Sequence, residues 1–255
     1  MAKPPQVLSS VRNAARLLKQ FSTRDRELGV SELSRRLEIG KSTVHRLLVT
    51  LTSEHLLEQD SLTGKYRLGI AMHDLGSAVA TRLDLHEAVI PPLEQLRVAT
   101  QETCQVAVLD GNEVVYVERL DSPQSLRLFL EVGRRNAAHS TSTGKCLLAF
   151  LPDQELDAVL QGWVLEQKTP HTIVDQATLR TELKQIRKQG YAWNVNESEL
   201  GVLSVSAPIR NLAGRVTAAL SAAGPETRMA AAKLQMTQAV MEAAASASRR
   251  LGYRR

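Results

Sequence analysis

Two short runs of this chain gather side chains that could do chemistry. Lys41-Ser42-Thr43, followed by His45 and Arg46, offers short hydroxyls and cations of the kind that bond phosphate oxygens and base edges. Ser142-Thr143-Gly144-Lys145 fits the S-x-x-K pattern of a serine nucleophile beside a lysine, and also the end of a phosphate-binding loop. No S-D-N or K-T-G triplet accompanies it, Lys168-Thr169 runs into Pro170, and His139 stands where the loop needs a glycine. Neither enzyme reading is therefore expected. His139 and Cys146 could form a base–nucleophile pair, but Cys146 falls on the apolar side of a helical pattern, where a core thiol is the simpler reading. His55, His73, His86 and His171 show no ligand spacing, so no catalytic residue, metal site or cofactor is expected.

The first run must be held by helices. Val30, Leu33 and Leu37 share one helical face, and Val44, Leu47, Leu48 and Leu51 repeat at i, i+3, i+4 and i+7. The tight turn between them, Glu38-Ile39-Gly40, gives the pattern of a helix-turn-helix whose second helix enters the major groove. An ordinary helical hairpin with a solvated polar face remains the alternative. A preceding helix to about Phe21, capped by Ser9 or Ser10, would bury Val11, Ala14, Ala15, Leu18 and Phe21; Ser31 is a candidate N-cap for the next. Leu56–Asp60 and Lys65–Leu68 flank a turn containing Gly64 and read as a hairpin. Three helices and a hairpin bearing Lys65 and Arg67 make a winged helix-turn-helix, with the basic wing along the DNA backbone or minor groove.

Charge supports this division. Of 255 residues with a net charge of +5, residues 1–68 hold twelve Lys/Arg against seven Asp/Glu, so the whole excess lies there. A basic head on a neutral body suits a polyanion-binding domain joined to one that binds something else. Hydrophobic residues make up 43% of the chain, enough for real cores. No apolar run approaches the roughly 18 residues of a membrane span, the N-terminus has no signal-peptide core, and Cys104 and Cys146 read as reduced thiols. Together these features point to the cytoplasm, and no membrane partner is expected.

Beyond the wing, residues 69–85 read as a linker helix, in which Leu75, Val79 and Leu83 are a candidate dimer contact or simply intrachain packing. A helix follows at Leu85–Gln101, carrying Pro91-Pro92 either as a kink or as its true start. From Thr103 the period becomes two: strands at Thr103–Asp110 and Glu113–Asp121 joined at Gly111-Asn112, with Leu126–Leu130 as a possible third. Helices follow at Ser140–Leu151, Pro152–Leu160 and Asp175–Gln189. Strands near Tyr191–Glu197, Leu203–Arg210 and Val216–Ala223 precede a final helix, Glu226–Leu251. That order indicates an α+β domain with a mainly antiparallel sheet. Ser140–Thr143 opens a helix and could receive an anion through free amides and the helix dipole. Ser204 and Ser206 alternate with Leu203, Val205, Ala207 and Ile209, a pattern equally natural for ordinary sheet serines.

Six stretches, taken in order, resemble the isocitrate-lyase-regulator (IclR) family of bacterial transcription factors: GKSTVHRLLVTL, GKYRLG, VAVLDGNEVVYVERLDSPQSLRL, STGKCLLAFLP, NESELGVLSVSAPI and RVTAALSAAGP. The resemblance runs from about Ser9 to Leu251. It implies a winged helix-turn-helix domain at 1–68, a linker helix at 69–85, and a GAF-like effector-binding and oligomerisation domain at 86–255, on a dimer or tetramer. The implied activity is a ligand-responsive regulator, a repressor of a catabolic operon, bound to double-stranded operator DNA; a GAF-like sensor or enzyme with a secondary DNA head is the alternative. Lys41, His45 and Arg46 are expected at base edges, and Ser31, Ser42, Thr43, Lys65 and Arg67 at phosphates. The family's carboxylate site maps to the amides of Ser142 and Thr143 and to Asn194, Ser204, Ser221 and Ala223. Asn, Ser and Ala stand where several acid-binding members have Asp, Cys and Ser. This predicts a larger or less polar effector, an aromatic acid or amide, in place of a two- or three-carbon keto acid.

Overall fold

The computed structural model describes residues 8–22, 25–82, 85–128 and 131–254, apart from the side chains of 77–82. The chain divides into two compact units, Met1–Leu83 and Asp84–Arg255.

The first unit contains α1 (Ser9–Leu18), α2 (Val30–Leu37), α3 (Lys41–Ser53), β1 (Leu57–Gln59), β2 (Tyr66–Leu68) and α4 (Ile70–Arg82). Leu17, Leu33, Leu37, Val44, Leu48, Leu57 and Tyr66 close its core. Leu28 exchanges two backbone bonds with Tyr66, so the segment before α2 extends the wing hairpin. The turn between α2 and α3 places Glu38 in the left-handed region (φ 59°), and Arg16 donates to the Leu37 carbonyl at 3.2 Å, covering the C-terminus of α2.

Three local expectations are corrected. Gly29, not Ser31, is the N-cap of α2, because pairing of Leu28 with Tyr66 fixes where the helix can begin; Ser31 lies inside the first turn. Leu8 is the N-cap of α1, with no side-chain cap from Ser9 or Ser10. The helix ends at Leu18 and buries Leu17, while Val11 and Ala15 face solvent.

The second unit follows with α5 (Leu85–Thr100), β3 (Thr103–Asp110), β4 (Glu113–Leu120), β5 (Arg135–Ala137), a 3-10 turn at Ala138–Ser140, α6 (Ser142–Ala149), α7 (Asp153–Leu160) and α8 (Gln176–Gln189). It closes with β6 (Ala192–Val195), β7 (Val202–Arg210), β8 (Val216–Pro225), α9 (Glu226–Ala231) and α10 (Lys233–Arg250). The six strands form an antiparallel sheet in the order β5-β4-β3-β8-β7-β6. The third strand of the first hairpin is therefore Arg135–Ala137. Residues 126–128 are not strand, and 129–130 lie outside the described residues. The predicted final helix is broken at Ala232 into α9 and α10. Helix α5 runs through Pro91-Pro92 from a start at Leu85.

Each face of the sheet has its own core. Cys104, Val106, Leu203, Val205, Ile209, Leu220 and Ala222 pack against α5 and α10. Ala107, Ala192 and Ala219 face the other way, toward α6 and α8, with Cys146, Leu148, Leu179, Leu183 and Ile186. Both faces are covered, so the alternate residues of β7 that looked like a solvent face, Ser204 and Ser206, are buried.

Candidate functional site

In the first unit, α3 buries Val44, Leu48 and Leu51 and turns Lys41, Ser42, Thr43, His45 and Arg46 outward. Lys41, His45 and Arg46 have no ion-pair or hydrogen-bond partner among the described residues for their side chains. The helix starts at Gly40 without a side-chain cap, leaving first-turn amides and the positive end of the dipole available to an anion. Val49, about half exposed, and Thr50 continue the same outward face. Their positions at i+3 and i+4 from Arg46 put them beside it on the helix surface.

Ser31 is exposed in the first turn of α2. In the wing, Lys65 is exposed, whereas Arg67 is held by Glu58 directly across the hairpin at 3.1 Å. Asp60 organises the turn by accepting from the Leu62 and Thr63 amides and the Thr63 hydroxyl, bonds that hold its carboxyl below the usual range. The structure thus brings Lys41, Ser42, Thr43, His45 and Arg46 onto one helix face and puts Ser31 and the wing residues on separate elements.

The second unit gathers the other predicted residues where α6 meets the sheet. Strand register sets Asn194, Ser204, Ala223 and Thr103 side by side, and Ser206, Ser221 and Gln105 in the next row. The Ser142 and Ser204 hydroxyls are 2.8 Å apart. Thr143 lies beside the Tyr116 phenol, whose pKa is pushed up mainly by burial. Ser221 donates to the Gln105 carbonyl. Asn194 is engaged within its own loop: its Oδ1 accepts from the Glu197 amide and its Nδ2 donates to Ser198 Oγ, both at 2.8 Å. Ala223 is buried and brings no polar atom. Ser142 and Thr143 occupy the first turn of α6, with Thr141 as N-cap accepting from the Gly144 amide. Gln105 Oε1 is buried without a hydrogen-bond partner among the described residues, a polar atom that sequence reasoning missed because nothing in TCQVAVLD separates it from ordinary strand alternation.

Nothing in the sequence pattern marks Lys145 for burial. Its ammonium is 1% exposed and bonds Glu197 at 2.6 Å and Glu182 at 3.2 Å. Burial raises the Glu197 carboxyl pKa above its ordinary value despite the adjacent ammonium. The loop carrying Glu197 is tied again from below, by the Thr169 hydroxyl to the Asn196 carbonyl and the Thr172 hydroxyl to the Glu197 carbonyl, each at 2.6 Å. Gly144 lets α6 approach the 3-10 turn: a Cβ there would lie 2.2 Å from the Ala138 carbonyl oxygen. The Gly-Lys pair is thus an instrument of packing, and Ser142 and Lys145 are turned to different partners.

Nucleophilic chemistry finds no support. Burial pushes the Cys146 thiol up to about 12, and His139 bonds the Glu166 carbonyl at 3.0 Å and meets the Trp163 ring edge-on. No group of three or more His, Cys, Asp or Glu among the described residues could hold a metal ion. No helix among the described residues is long and apolar enough to cross a membrane.

Comparison with known proteins agrees with both halves of this geometry. Residues 10–61 match the model of the IclR helix-turn-helix domain, and residues 77–249 match the bacterial transcriptional regulator IclR C-terminal model. The chain is 34% identical to the HTH-type transcriptional regulator XynR of Escherichia coli K12, over 97% of this chain and 98% of that one. It is 38% identical to the regulator BhcR of Paracoccus denitrificans, over 85% and 78%. A solved IclR homolog from Microbacterium hydrocarbonoxydans, complexed with 4-hydroxybenzoate, superposes with a TM-score of 0.84 at 28% identity, covering 96% of this chain and 99% of that one.

Proposed function

The chain belongs to the IclR family, as a ligand-responsive transcriptional regulator and not an enzyme, and on that premise we propose how its residues divide the work. Residues 1–68 bind operator DNA, 69–85 link, and 86–255 bind the effector and oligomerise in the cytoplasm. The observation that carries the DNA reading is the outward face of α3, where Lys41, His45 and Arg46 have no partner among the described residues and stand at an uncapped helix start. Lys41, His45 and Arg46 read base edges, while Ser31, Ser42, Thr43, Lys65 and Arg67 touch phosphates. One head offers one recognition helix, so a dimer or tetramer reads half-sites about 34–36 Å apart or a multiple of that. Leu75 is exposed on α4 and is available for such a contact; the Val79 side chain and Leu83 lie outside the described residues. Repression of a catabolic operon is the expected sign, in keeping with relatives named as repressors, such as AllR of Escherichia coli K12.

Arg46→Ala should weaken specific operator binding by roughly 1–3 kcal/mol and relax one base position. Unchanged affinity and specificity in a gel-shift series would remove Arg46 from the recognition set.

The effector site is Ser142, Thr143, Asn194, Ser204, Ser221 and Ala223. Support comes from a buried hydroxyl row facing the first turn of α6, with Gln105 Oε1 nearby and unpartnered among the described residues. The row is polar but uncharged apart from the Lys145–Glu197 pair, which suits an aromatic acid or amide better than a small keto acid. The homolog that holds 4-hydroxybenzoate lends weight to that class. Titration calorimetry should show an aromatic acid binding and glyoxylate or pyruvate not; the reverse result would overturn the assignment.

A further inference from the structure

A cleft of about 930 Å³ opens in the second unit, away from the hydroxyl row, between the C-terminal end of α8, the end of β7 and the last turns of α10. Its floor is apolar, with Ala207, Pro208, Met241 and Ala244. Five cations line it, Arg187, Lys188, Arg210, Arg249 and Arg254, and no carboxylate among the described residues does. That contrasts with the balance of this part of the chain, where residues 69–255 hold equal numbers of basic and acidic residues and several cations elsewhere are matched, as in Arg180–Asp157, Arg228–Glu102 and Lys145–Glu197.

The cations are not equivalent. Arg187 is occupied, donating to the Ala149 and Leu151 carbonyls and pairing with Asp153. Lys188, Arg249 and Arg254 have no ion-pair partner among the described residues. Arg210 stands over the Phe150 ring at 4.8 Å and 5.9 Å from the Tyr253 centroid, with one amino group bonded to the Gly214 carbonyl. The preference of cations for helix C-termini accounts for Lys188 and Arg249 one at a time. It does not account for Arg210, which is on a strand, nor for an open cleft between the cations. The two helix ends contribute about half a negative charge each, leaving the cleft strongly positive.

We propose that this cleft binds a small organic polyanion carrying a planar ring, with its charges at Lys188, Arg249 and Arg254 and its ring against the Arg210–Tyr253 wall. Guanidinium groups favour stacking on flat rings and pairing with phosphate or carboxylate oxygens. The volume lies near the top of the roughly 300–1,000 Å³ range of small-molecule sites, far more than inorganic phosphate would fill. A nucleoside diphosphate and a benzenetricarboxylate share this chemistry and serve as its two probes. The inference does not rest on the DNA or effector assignments above.

The test is titration calorimetry on the full chain with ADP, benzene-1,2,4-tricarboxylate and inorganic phosphate. At least one ring polyanion should bind, with phosphate at least tenfold weaker; which probe binds distinguishes phosphate from carboxylate as the source of charge. Charge reversal of Lys188→Glu with Arg249→Glu should weaken binding at least tenfold. Lys184→Glu, one turn back on α8 and outside the cleft, should leave it unchanged, and far-ultraviolet circular dichroism checks that each variant is folded. Absence of binding by both ring probes, phosphate binding equally well, or equal loss from Lys184→Glu would each overturn the proposal. So would a reversal variant that loses operator affinity while still binding ADP, which would give the cations to DNA.

Discussion

Replacing Lys145 by Met should destabilise the second unit in a way that depends on pH. The ammonium is fully buried against Glu197 at 2.6 Å, and the methionine leaves that carboxylate buried with little compensation. Removing one member of a buried pair costs about 3–5 kcal/mol. A second route gives a similar figure. Glu197 can escape by taking up a proton, and from an ordinary carboxyl value of 4.5 this costs about 1.4 kcal/mol per pH unit, or about 3.4 kcal/mol at pH 7. At pH 5.5 the same step costs only about 1.4 kcal/mol.

Lys145→Met should therefore lose about 3 kcal/mol at pH 7 and markedly less at pH 5.5, and adding Glu197→Gln should recover much of the loss at pH 7. Urea unfolding followed by tryptophan fluorescence is the assay, since the two tryptophans, Trp163 and Trp193, both lie in the second unit. Other titrations, such as that of His139, occur in both proteins and cancel in the difference. A loss below 1 kcal/mol at pH 7, or an equal loss at both pH values, would refute the argument that Lys145 is there to neutralise Glu197.

Three further outcomes are expected. Burial holds the His139 ring below its ordinary value of 6.5, so its contribution to stability is present above pH 6.5 and is lost as pH falls through the depressed folded value; His139→Gln should flatten the acid side of a stability–pH profile measured by thermal unfolding. Gly144→Ala puts a methyl 2.2 Å from the Ala138 carbonyl oxygen, a backbone atom that cannot rotate away, so it should cost at least the roughly 1–3 kcal/mol of an overpacked core in urea unfolding. Lys65→Ala should weaken binding to all DNA sequences about equally and reduce the slope of log affinity against log salt by about 1, measured by fluorescence anisotropy.

What the sequence could reveal followed the range of the forces involved. The recognition helix was legible because its apolar stripe and its polar face repeat within three turns. Ser31 was misassigned as a cap because the start of α2 is set by Leu28 pairing with Tyr66, 38 positions away in the chain and invisible to local pattern. In α1, Val11, Ala14, Ala15 and Leu18 repeat at i, i+3, i+4 and i+7, a face that local periodicity favours; Leu17, one position off it, is buried because its partners in the core lie on α2 and α3, distant in sequence. The edge strand Arg135–Ala137 has no apolar alternation at all; it exists because β4 offers it three register partners.

The same distinction explains why the Gly-Lys pair invited a catalytic reading. Read locally, Ser142-Thr143-Gly144-Lys145 is a nucleophile motif or a phosphate loop. In the fold three of the four positions are spoken for by different distant elements: Ser142 by Ser204 on β7, Gly144 by the turn at Ala138, and Lys145 by Glu197 beyond β6. Three such anchors within four residues fix α6 against the sheet in both translation and rotation. On the proposed effector assignment, a ligand entering beside Ser204 would have to displace the Ser142 hydroxyl or bond to it where it stands. A helix start held this firmly favours the second course, which is what a preorganised site for one class of ligand requires.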